Sequence, residues 1–222
     1  MKEISVFDVI GPRMIGPSSS HTAGALRIAL LAGKLLRSPA VKASFILYGS
    51  FARTYQGHGT DRALVAGVLG LYPDDPQIRD AFLLAQERGL EYTFSFDTDN
   101  KELHPNTADI FLETRTGETI SVRGVSVGGG TISIQQINGM EVRLSGEYST
   151  ILIQHQDIAG MAAYITACLS RYEINIAFMR LYREKRGGKA CTIIEADEHI
   201  RPEVAALIEK HPHVTSAILV QL

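Results

Sequence analysis

The pattern of apolar positions predicts helices in the first half of the chain. Residues 20–37 are apolar on almost every side, which indicates a helix that is buried nearly all round. A second helix is predicted over 62–69. A third is predicted over 76–89, where a proline begins the segment and a glycine ends it. Its apolar stripe consists of Ile78, Ala81, Phe82, Leu83 and Ala85.

Strands are predicted for most of the remaining residues up to 144. Residues 45–48 and 91–97 are β-rich, and from Ala108 onward short β-rich runs alternate with glycine-containing turns. The pair Asn138-Gly139 predicts a hairpin. The three glycines at 128–130 are followed by no predicted helix, so they indicate a bend between strands. Early helices with a late antiparallel meander predict an α+β domain, with helices on a mixed or antiparallel sheet.

A polar run, Ser145-Gly146-Glu147, indicates a boundary between two domains, at residues 1–146 and 147–222. After this run, the predicted order of elements is strand, helix, strand, strand, helix, strand. This βαββαβ order is that of a ferredoxin-like fold. We therefore predict an α+β chain, in which a sheet domain with helices is followed by a ferredoxin-like domain.

Composition and charge are those of an ordinary globular protein. The 222 residues are 45% hydrophobic and 21% charged, and the formal net charge is −2. Because charges of both signs are spread evenly, no basic patch indicates binding to nucleic acid or to a membrane surface. No apolar run is long enough to span a bilayer, and the N-terminus lacks the apolar segment of a signal peptide. We therefore expect a soluble, cytoplasmic protein.

Hydroxyl groups are unusually dense before the first predicted helix, in the run Ser18-Ser19-Ser20-His21-Thr22. A short turn or helix and an extended arm, over residues 4–15, are predicted to lead into it. One hydroxyl is enough to cap a helix. A helix start also gathers free N–H donors and the positive end of the helix dipole, which suits a carboxylate or a phosphate. The run is therefore either a cap in a serine-rich loop or an anion-binding and catalytic corner.

Two further loops carry histidines. In Gly57-His58-Gly59-Thr60-Asp61, the glycines let another part of the backbone approach the histidine closely, although the loop can also be a tight turn with an incidental surface histidine. In His104-Pro105-Asn106-Thr107, the histidine and the asparagine are two residues apart in backbone that we expect to be extended. Their side chains would then point to the same side and form a polar pair.

These three motifs, in this order, resemble the iron–sulfur-dependent L-serine dehydratases, and in particular the β subunit of the two-subunit form. The last part of the chain resembles an ACT domain, through Asp157-Ile158-Ala159-Gly160 and Ile174-Asn175-Ile176. Together the resemblances cover essentially the whole chain. They imply a lyase of amino-acid catabolism and gluconeogenesis, an L-serine ammonia-lyase. It would remove water from L-serine to give aminoacrylate, and from that pyruvate and ammonia.

The resemblance also implies a [4Fe–4S] cluster, whose open iron acts as a Lewis acid on the leaving hydroxyl. In this family the cysteines that hold the cluster lie in the other subunit, so we expect a heterodimer with a cluster-bearing α subunit and no metal ligand on this chain. The two cysteines present, Cys168 and Cys191, agree with this expectation, because two thiols cannot hold a four-thiolate cluster. Both lie in apolar surroundings and are interpreted as buried, inert thiols.

The family's motifs imply roles for individual residues. Two active-site histidines fall on His58 and His104. Since removal of the Cα proton needs a base poised near neutral pH, which imidazole can be, we expect His58 to transfer protons with His104 assisting. Asn106 would orient the substrate or His104. The hydroxyl groups of the first motif would bind the carboxylate or amino group of the substrate, namely those of Ser18, Ser19, Ser20 and Thr22. The imidazole of His21 would support these residues from behind.

The ACT-like part provides a second candidate site. ACT domains commonly bind amino acids at dimer interfaces, so Asp157, Gly160 and Asn175 are candidate effector-binding residues. Self-association would then occur through the ACT or the N-terminal domain. The same three residues also suit ordinary turns and strand ends. The remaining histidines are interpreted as having no catalytic or metal role, namely His155, His199, His211 and His213.

Two other functions are compatible with parts of the sequence. The first domain also resembles the anion-binding regulatory domain of some phosphoglycerate dehydrogenases, and on that basis the chain would be a non-catalytic subunit that senses an amino acid or another anion. The pair His104 and Asn106, together with His58, favours the enzyme, because a site that only binds an anion does not need two potential bases. A free-standing serine hydrolase is disfavoured, since no serine lies in a GxSxG turn and no order of triad residues is apparent.

Overall fold

The computed structural model describes residues 13–221, which divide into two compact units with the division between Ser145 and Gly146. The segment predicted over 4–15 lies almost entirely outside the described residues. Helices and strands are both present in each unit, so the predicted α+β class is confirmed. None of the helices between residues 13 and 221 has the length and apolarity that crossing a bilayer requires.

Residues 13–145 contain a six-stranded sheet. Its strands are β1 (Ala40–Tyr48), β2 (Glu91–Asp97), β3 (Thr107–Thr114), β4 (Thr119–Gly128), β5 (Thr131–Ile137) and β6 (Met140–Leu144). Their order across the sheet is β2-β1-β3-β4-β5-β6. The pair β1–β2 is parallel and the other neighbouring pairs are antiparallel, so the sheet is mixed. The bend predicted at 128–130 joins β4 to β5.

The helices of this unit are α1 (Ala25–Lys34), α2 (Gly49–Thr54), α3 (Thr60–Val68) and α4 (Ala81–Glu87), with a π-helical turn (Ser19–Gly24) before α1 and a 3-10 helix (Pro76–Asp80) before α4. Helix α1 is buried nearly all round, as its composition predicts. The stripe predicted over 76–89 is wrong at Leu83, which is 56% exposed. The tighter winding of the 3-10 turn changes the phase of the helix. As a result, Ile78, Ala81 and Ala85 face the core, whereas Leu83 does not.

The second unit has the predicted βαββαβ order, in β7 (Ser149–Gln156), α5 (Met161–Ser170), β8 (Ile176–Arg183), β9 (Lys189–Ala196), α6 (Pro202–Ile208) and β10 (Val214–Val220). The strands are arranged in the order β10-β7-β9-β8, and all neighbours are antiparallel. The two helices bury their apolar sides against residues such as Ile151, Ile153 and Ile194. The ferredoxin-like prediction is therefore confirmed.

Candidate functional site

The serine-rich run folds as the π-helical turn that leads directly into α1. Ser18 is extended and caps the turn: its Oγ accepts a hydrogen bond of 3.1 Å from the backbone N–H of His21. Its carbonyl oxygen accepts from the N–H groups of both Thr22 and Ala23, as the wider winding of a π turn allows. One serine therefore serves as the cap, and Ser19 and Ser20, both partly exposed, have no role in capping.

The imidazole of His21 lies among residues from two other segments. Its Nε2 is 2.9 Å from Oγ of Ser50, and its ring meets Phe51 edge to face at 5.3 Å between centroids. On the other side, the ring of His58 lies at 4.7 Å, tilted by 40°. Burial lowers the pKa of His21, and the nearby His58 lowers that pKa further, because two like charges would face each other.

The loop that carries His58 is held by its backbone. Oγ1 of Thr22 donates a hydrogen bond of 2.8 Å to the carbonyl of His58, and the N–H of His58 donates to the carbonyl of Thr54 at 3.1 Å. Gly59 takes a left-handed conformation, φ +65°, and turns the chain into α3. Nδ1 of His58 is buried and has no hydrogen-bond partner among residues 13–221. A buried polar atom without a partner is unusual, so this nitrogen marks the His58 ring as a candidate functional group.

The loop around His104 differs from the prediction. Residues 105 and 106 form a turn, so the extended backbone predicted there is wrong. The cause is local: Nδ1 of His104 accepts a hydrogen bond of 3.2 Å from the N–H of Asn106, which folds the loop back. Thr107 Oγ1 also donates to the carbonyl of His104, at 2.7 Å. His104 is exposed, and its ring nitrogen bonds within its own loop, whereas the rings of His21 and His58 contact each other.

Two backbone contacts tie the His104 loop to the rest of the site. The carbonyl of Pro105 accepts a hydrogen bond of 3.1 Å from the N–H of Phe51, at the start of α2. The carbonyl of Asn106 accepts from the N–H of Ser126, near the end of β4, at 3.0 Å. The side chain of Ser126 in turn fills the space beside Gly24, where a Cβ would collide with it. The three predicted motifs are thereby joined at one end of the sheet.

A polar network that the sequence did not single out supports this end of the sheet. Tyr48 Oη donates to Asp109 Oδ2 at 2.8 Å, and Arg123 binds both carboxylate oxygens of Asp109 at 2.6 Å. Burial and the bond to Asp109 raise the pKa of Tyr48, and the same carboxylate raises the pKa of Arg123. The β-rich composition of β3 is visible in the sequence, but the register that sets Asp109 opposite Arg123 is not.

The candidate effector residues are not brought together within one chain. Strands β7 and β8 are both antiparallel to β9 and so run in the same direction, with Asp157 after the end of β7 and Asn175 before the start of β8. The two residues thus lie at opposite ends of the sheet. Asp157 bonds Arg183 and the N–H of Gly187, and this N–H is the main cause that lowers the pKa of Asp157.

Local hydrogen bonds account for Asn175 as well. Its Nδ2 donates to the carboxylate of Asp197 at 3.0 Å, and its backbone N–H donates to that of Glu198 at 2.7 Å. Gly160, the third candidate, has φ +88° and precedes the first residue of α5. In a single chain these residues therefore have the turn and strand-end roles that the sequence left open as their alternative.

The cysteines of this chain do not suit an iron–sulfur cluster. Cys168 and Cys191 are both buried, as predicted, and burial raises the pKa of Cys191 to about 11, so its thiol stays protonated at neutral pH. Between residues 13 and 221, no group of three or more His, Cys, Asp or Glu side chains could hold a metal ion. The described residues thus do not fit a cluster.

The fold and the site define an α+β protein whose first unit gathers hydroxyls and imidazoles at one end of a mixed sheet. Residues 5–137 match the model of the serine dehydratase beta chain family. Over 222 residues the chain is 39% identical to the L-serine dehydratase beta chain of Peptoniphilus asaccharolyticus, with 100% of both chains covered. The chain belongs to the serine dehydratase beta chain family.

Two further relatives differ in how much of their own length the similarity covers. The chain is 41% identical to a probable L-serine dehydratase beta chain of Bacillus subtilis (strain 168), with 96% of each chain covered. It is 24% identical to a D-3-phosphoglycerate dehydrogenase of the same organism, over 88% of this chain and 37% of that protein. The full-length similarity is thus to the beta chains, whereas the dehydrogenase shares only a part of its length.

Proposed function

We propose that this chain is the β subunit of an L-serine ammonia-lyase, which converts L-serine into pyruvate and ammonia by elimination of water. Family membership and the two beta-chain relatives support it. The observation that carries the proposal is the contact between the His21 and His58 rings beside the hydroxyl-rich turn. Elimination needs a base for the Cα proton and neutral donors for the carboxylate, and these residues offer both.

In this proposal His58 transfers the Cα proton, because its ring lies against that of His21 beside the hydroxyl-rich turn and its Nδ1 has no partner among the described residues. The exposed His104 assists, and Asn106 orients the substrate. Ser19 and Ser20 bind the carboxylate, since their hydroxyls are not used in capping.

Three predicted substrate-binding residues receive supporting roles. Ser18 caps the turn and shapes the backbone that faces the carboxylate. Thr22 is only 2% exposed and holds the His58 loop through its hydroxyl. His21, held beside His58, limits the charge that the two rings carry together.

The proposed enzyme is completed by a partner, as the name "beta chain" of the relatives suggests. A cluster-bearing α subunit would hold the [4Fe–4S] group, which supplies a Lewis acid for the leaving hydroxyl when bound. Since the described cysteines do not fit a cluster, no step is assigned to such a group on this chain. The second unit would be an ACT domain that self-associates, and the enzyme would act in the cytoplasm.

The test is anaerobic co-expression of this chain with a cysteine-rich α subunit, followed by a serine-to-pyruvate assay. We expect activity from the pair and none from either chain alone. His58→Gln should lower kcat by about 10²–10⁴-fold, the range for loss of a general base. His199→Gln, at an exposed position of the second unit, is the matched control and should leave kcat unchanged. Activity of the purified chain alone, or a fully active His58→Gln pair, would contradict the proposal.

A non-catalytic regulatory subunit is the second candidate. The partial similarity to a phosphoglycerate dehydrogenase favours it, because the hydroxyl-rich turn could then bind an effector anion. The same assay separates the two functions. If an α subunit alone turns over serine, and this chain changes only the response to added amino acids, the chain is a regulator.

A further inference from the structure

Ser50 belongs to none of the three sequence motifs, yet its side chain binds a residue of the first. It is the second residue of α2 and is partly exposed. Its Oγ lies 2.9 Å from Nε2 of His21, within hydrogen-bond distance. A hydroxyl can donate to this nitrogen or accept from it, so the bond is available in both neutral tautomers and in the protonated ring.

The position of Ser50 is fixed on both sides. Gly49 packs against Pro105 so closely that a Cβ at position 49 would lie 2.7 Å from Cα of Pro105. Phe51 donates its backbone N–H to the carbonyl of Pro105 at 3.1 Å. Upstream, Tyr48 is bonded to the buried carboxylate of Asp109. The hydroxyl of Ser50 is therefore presented from a backbone that cannot easily shift.

The other neighbours of His21 show why the hydrogen bond from Ser50 determines the orientation of the His21 ring. Its ring contacts Phe51 on one side and His58 on another, and its backbone N–H is held by Ser18. Of the four residues that contact His21, namely Ser18, Ser50, Phe51 and His58, His58 is the one that titrates near neutral pH in general. The contact with Phe51 is apolar, and the contact with His58 is between two groups that carry the same charge when protonated. Neither contact sets the angle of the His21 ring by itself. The hydrogen bond to Ser50 is directional and does so.

We propose that Ser50 is a positioning residue, whose hydroxyl holds the imidazole of His21 against His58 so that the two rings act as one proton-accepting unit. A proton on His58 then disfavours a proton on His21, because the two rings would carry like charges at close range. The role in turnover rests on the proposed function. The geometry itself is a property of this chain alone, and can be tested without the partner.

The experiment is histidine-selective NMR of the full chain over a pH series. In the wild type we expect cross-peaks between the ring protons of His21 and His58, and a shift of the His58 signals while His21 titrates. The His21 midpoint should lie below its ordinary value of 6.5. In Ser50→Ala the cross-peaks should disappear and the His58 signals should no longer follow His21. The pKa of His21 should rise only in part, because the variant removes the contribution of His58 while burial, the larger cause, remains.

Two variants separate positioning from general damage. Ser50→Thr keeps the hydroxyl and should retain the cross-peaks. Thr54→Val removes a hydroxyl that donates to the carbonyl of Ser50 within α2 and leaves the hydroxyl of Ser50 in place, so it should also retain them. Unchanged cross-peaks and midpoints in Ser50→Ala would overturn the proposal. If that variant does not fold, wild-type spectra without contact between the rings would overturn it as well.

Kinetics of the assembled enzyme provide the second readout. Ser50→Ala should lower kcat about tenfold to a hundredfold with little change in KM, since a misplacement of about 1 Å can reduce a rate about a hundredfold. The acid side of its pH profile should move with the His21 midpoint, and Ser50→Thr should restore both. An assembled wild type without dehydratase activity would contradict the proposed function, while the NMR result would still decide the role of Ser50.

Discussion

The hydroxyl of Thr22 donates a hydrogen bond of 2.8 Å to the backbone carbonyl of His58. This single bond joins the hydroxyl-rich turn to the loop of the second motif, and it comes from a side chain that is only 2% exposed. The ring of His58 is thus located by a neighbour that holds its backbone, not its imidazole. Loss of the bond should loosen the loop, although the bond from the His58 N–H to the Thr54 carbonyl remains, and should leave both ring nitrogens chemically intact.

Thr22→Val should therefore lower the free energy of unfolding by about 1 kcal/mol, the usual net contribution of one such bond. The variant keeps the shape of the side chain and removes the donor. Thr93→Val is the control, because Thr93 bonds Ser44 on an exposed part of the sheet, and it should change the free energy by less than about 0.5 kcal/mol. Urea unfolding measures both. Equal losses in the two variants would contradict the role given to Thr22.

Gly49→Ala should be more destabilising than an ordinary substitution at a left-handed glycine. At Gly49, φ is +50°, and a Cβ would approach Pro105 Cα to 2.7 Å. Gly117 has φ +82°, and a Cβ added there would meet no atom within 4 Å, so Gly117→Ala isolates the backbone strain of about 1–2 kcal/mol. Gly49→Ala should exceed this loss, because the Pro105 loop must also move. A thermal midpoint that falls equally in both variants would show that the close approach does not matter.

Arg123→Met should leave the buried carboxylate of Asp109 with the hydroxyl of Tyr48 as its remaining partner in the network described above. Breaking a fully buried pair costs about 3–5 kcal/mol, and since the Arg123 side chain is 24% exposed we expect a smaller loss of about 1–3 kcal/mol. Arg183→Met removes a pair in which the arginine is 55% exposed, and should leave the unfolding midpoint unchanged. Denaturant titration of both variants is the measurement.

The lowered pKa of His21 predicts a pH dependence of stability. As the pH falls below 6.5, the unfolded chain takes up a proton on this histidine before the folded chain does. The contribution of His21 is thus present above 6.5 and is lost as the pH falls from 6.5 to the lower folded value. His21→Gln removes this group, so the difference in unfolding midpoint between variant and wild type should change across that interval. A constant difference from about pH 8 to about pH 5 would contradict the prediction.

The strands of the first unit were predictable because turn residues mark their ends. Asn138-Gly139 predicts a hairpin, and both residues have positive φ between β5 and β6. The bend at 128–130 follows from the same kind of signal. Such turns depend on local backbone preferences, so the sequence alone is sufficient to find them.

Helix α2 was not predicted, and with it Ser50 was missed. The helix has six residues and no side chain caps it, so no local signal separates it from a loop. Its position depends on Pro105, which is distant in the sequence. For the same reason the extended backbone expected beside His104 was wrong, because a ring nitrogen competes for the Asn106 N–H. Contacts of this kind become visible only when the chain is folded.

The direction of β7 and β8 has a thermodynamic consequence for the second unit. Since Asp157 and Asn175 lie at opposite ends of strands eight residues long, they are separated by roughly 25 Å, at about 3.3 Å per residue. An amino acid is too small to touch both in one chain, so a ligand that contacts both must bridge two copies. Its apparent affinity would then rise with protein concentration, and ligand and self-association would each strengthen the other.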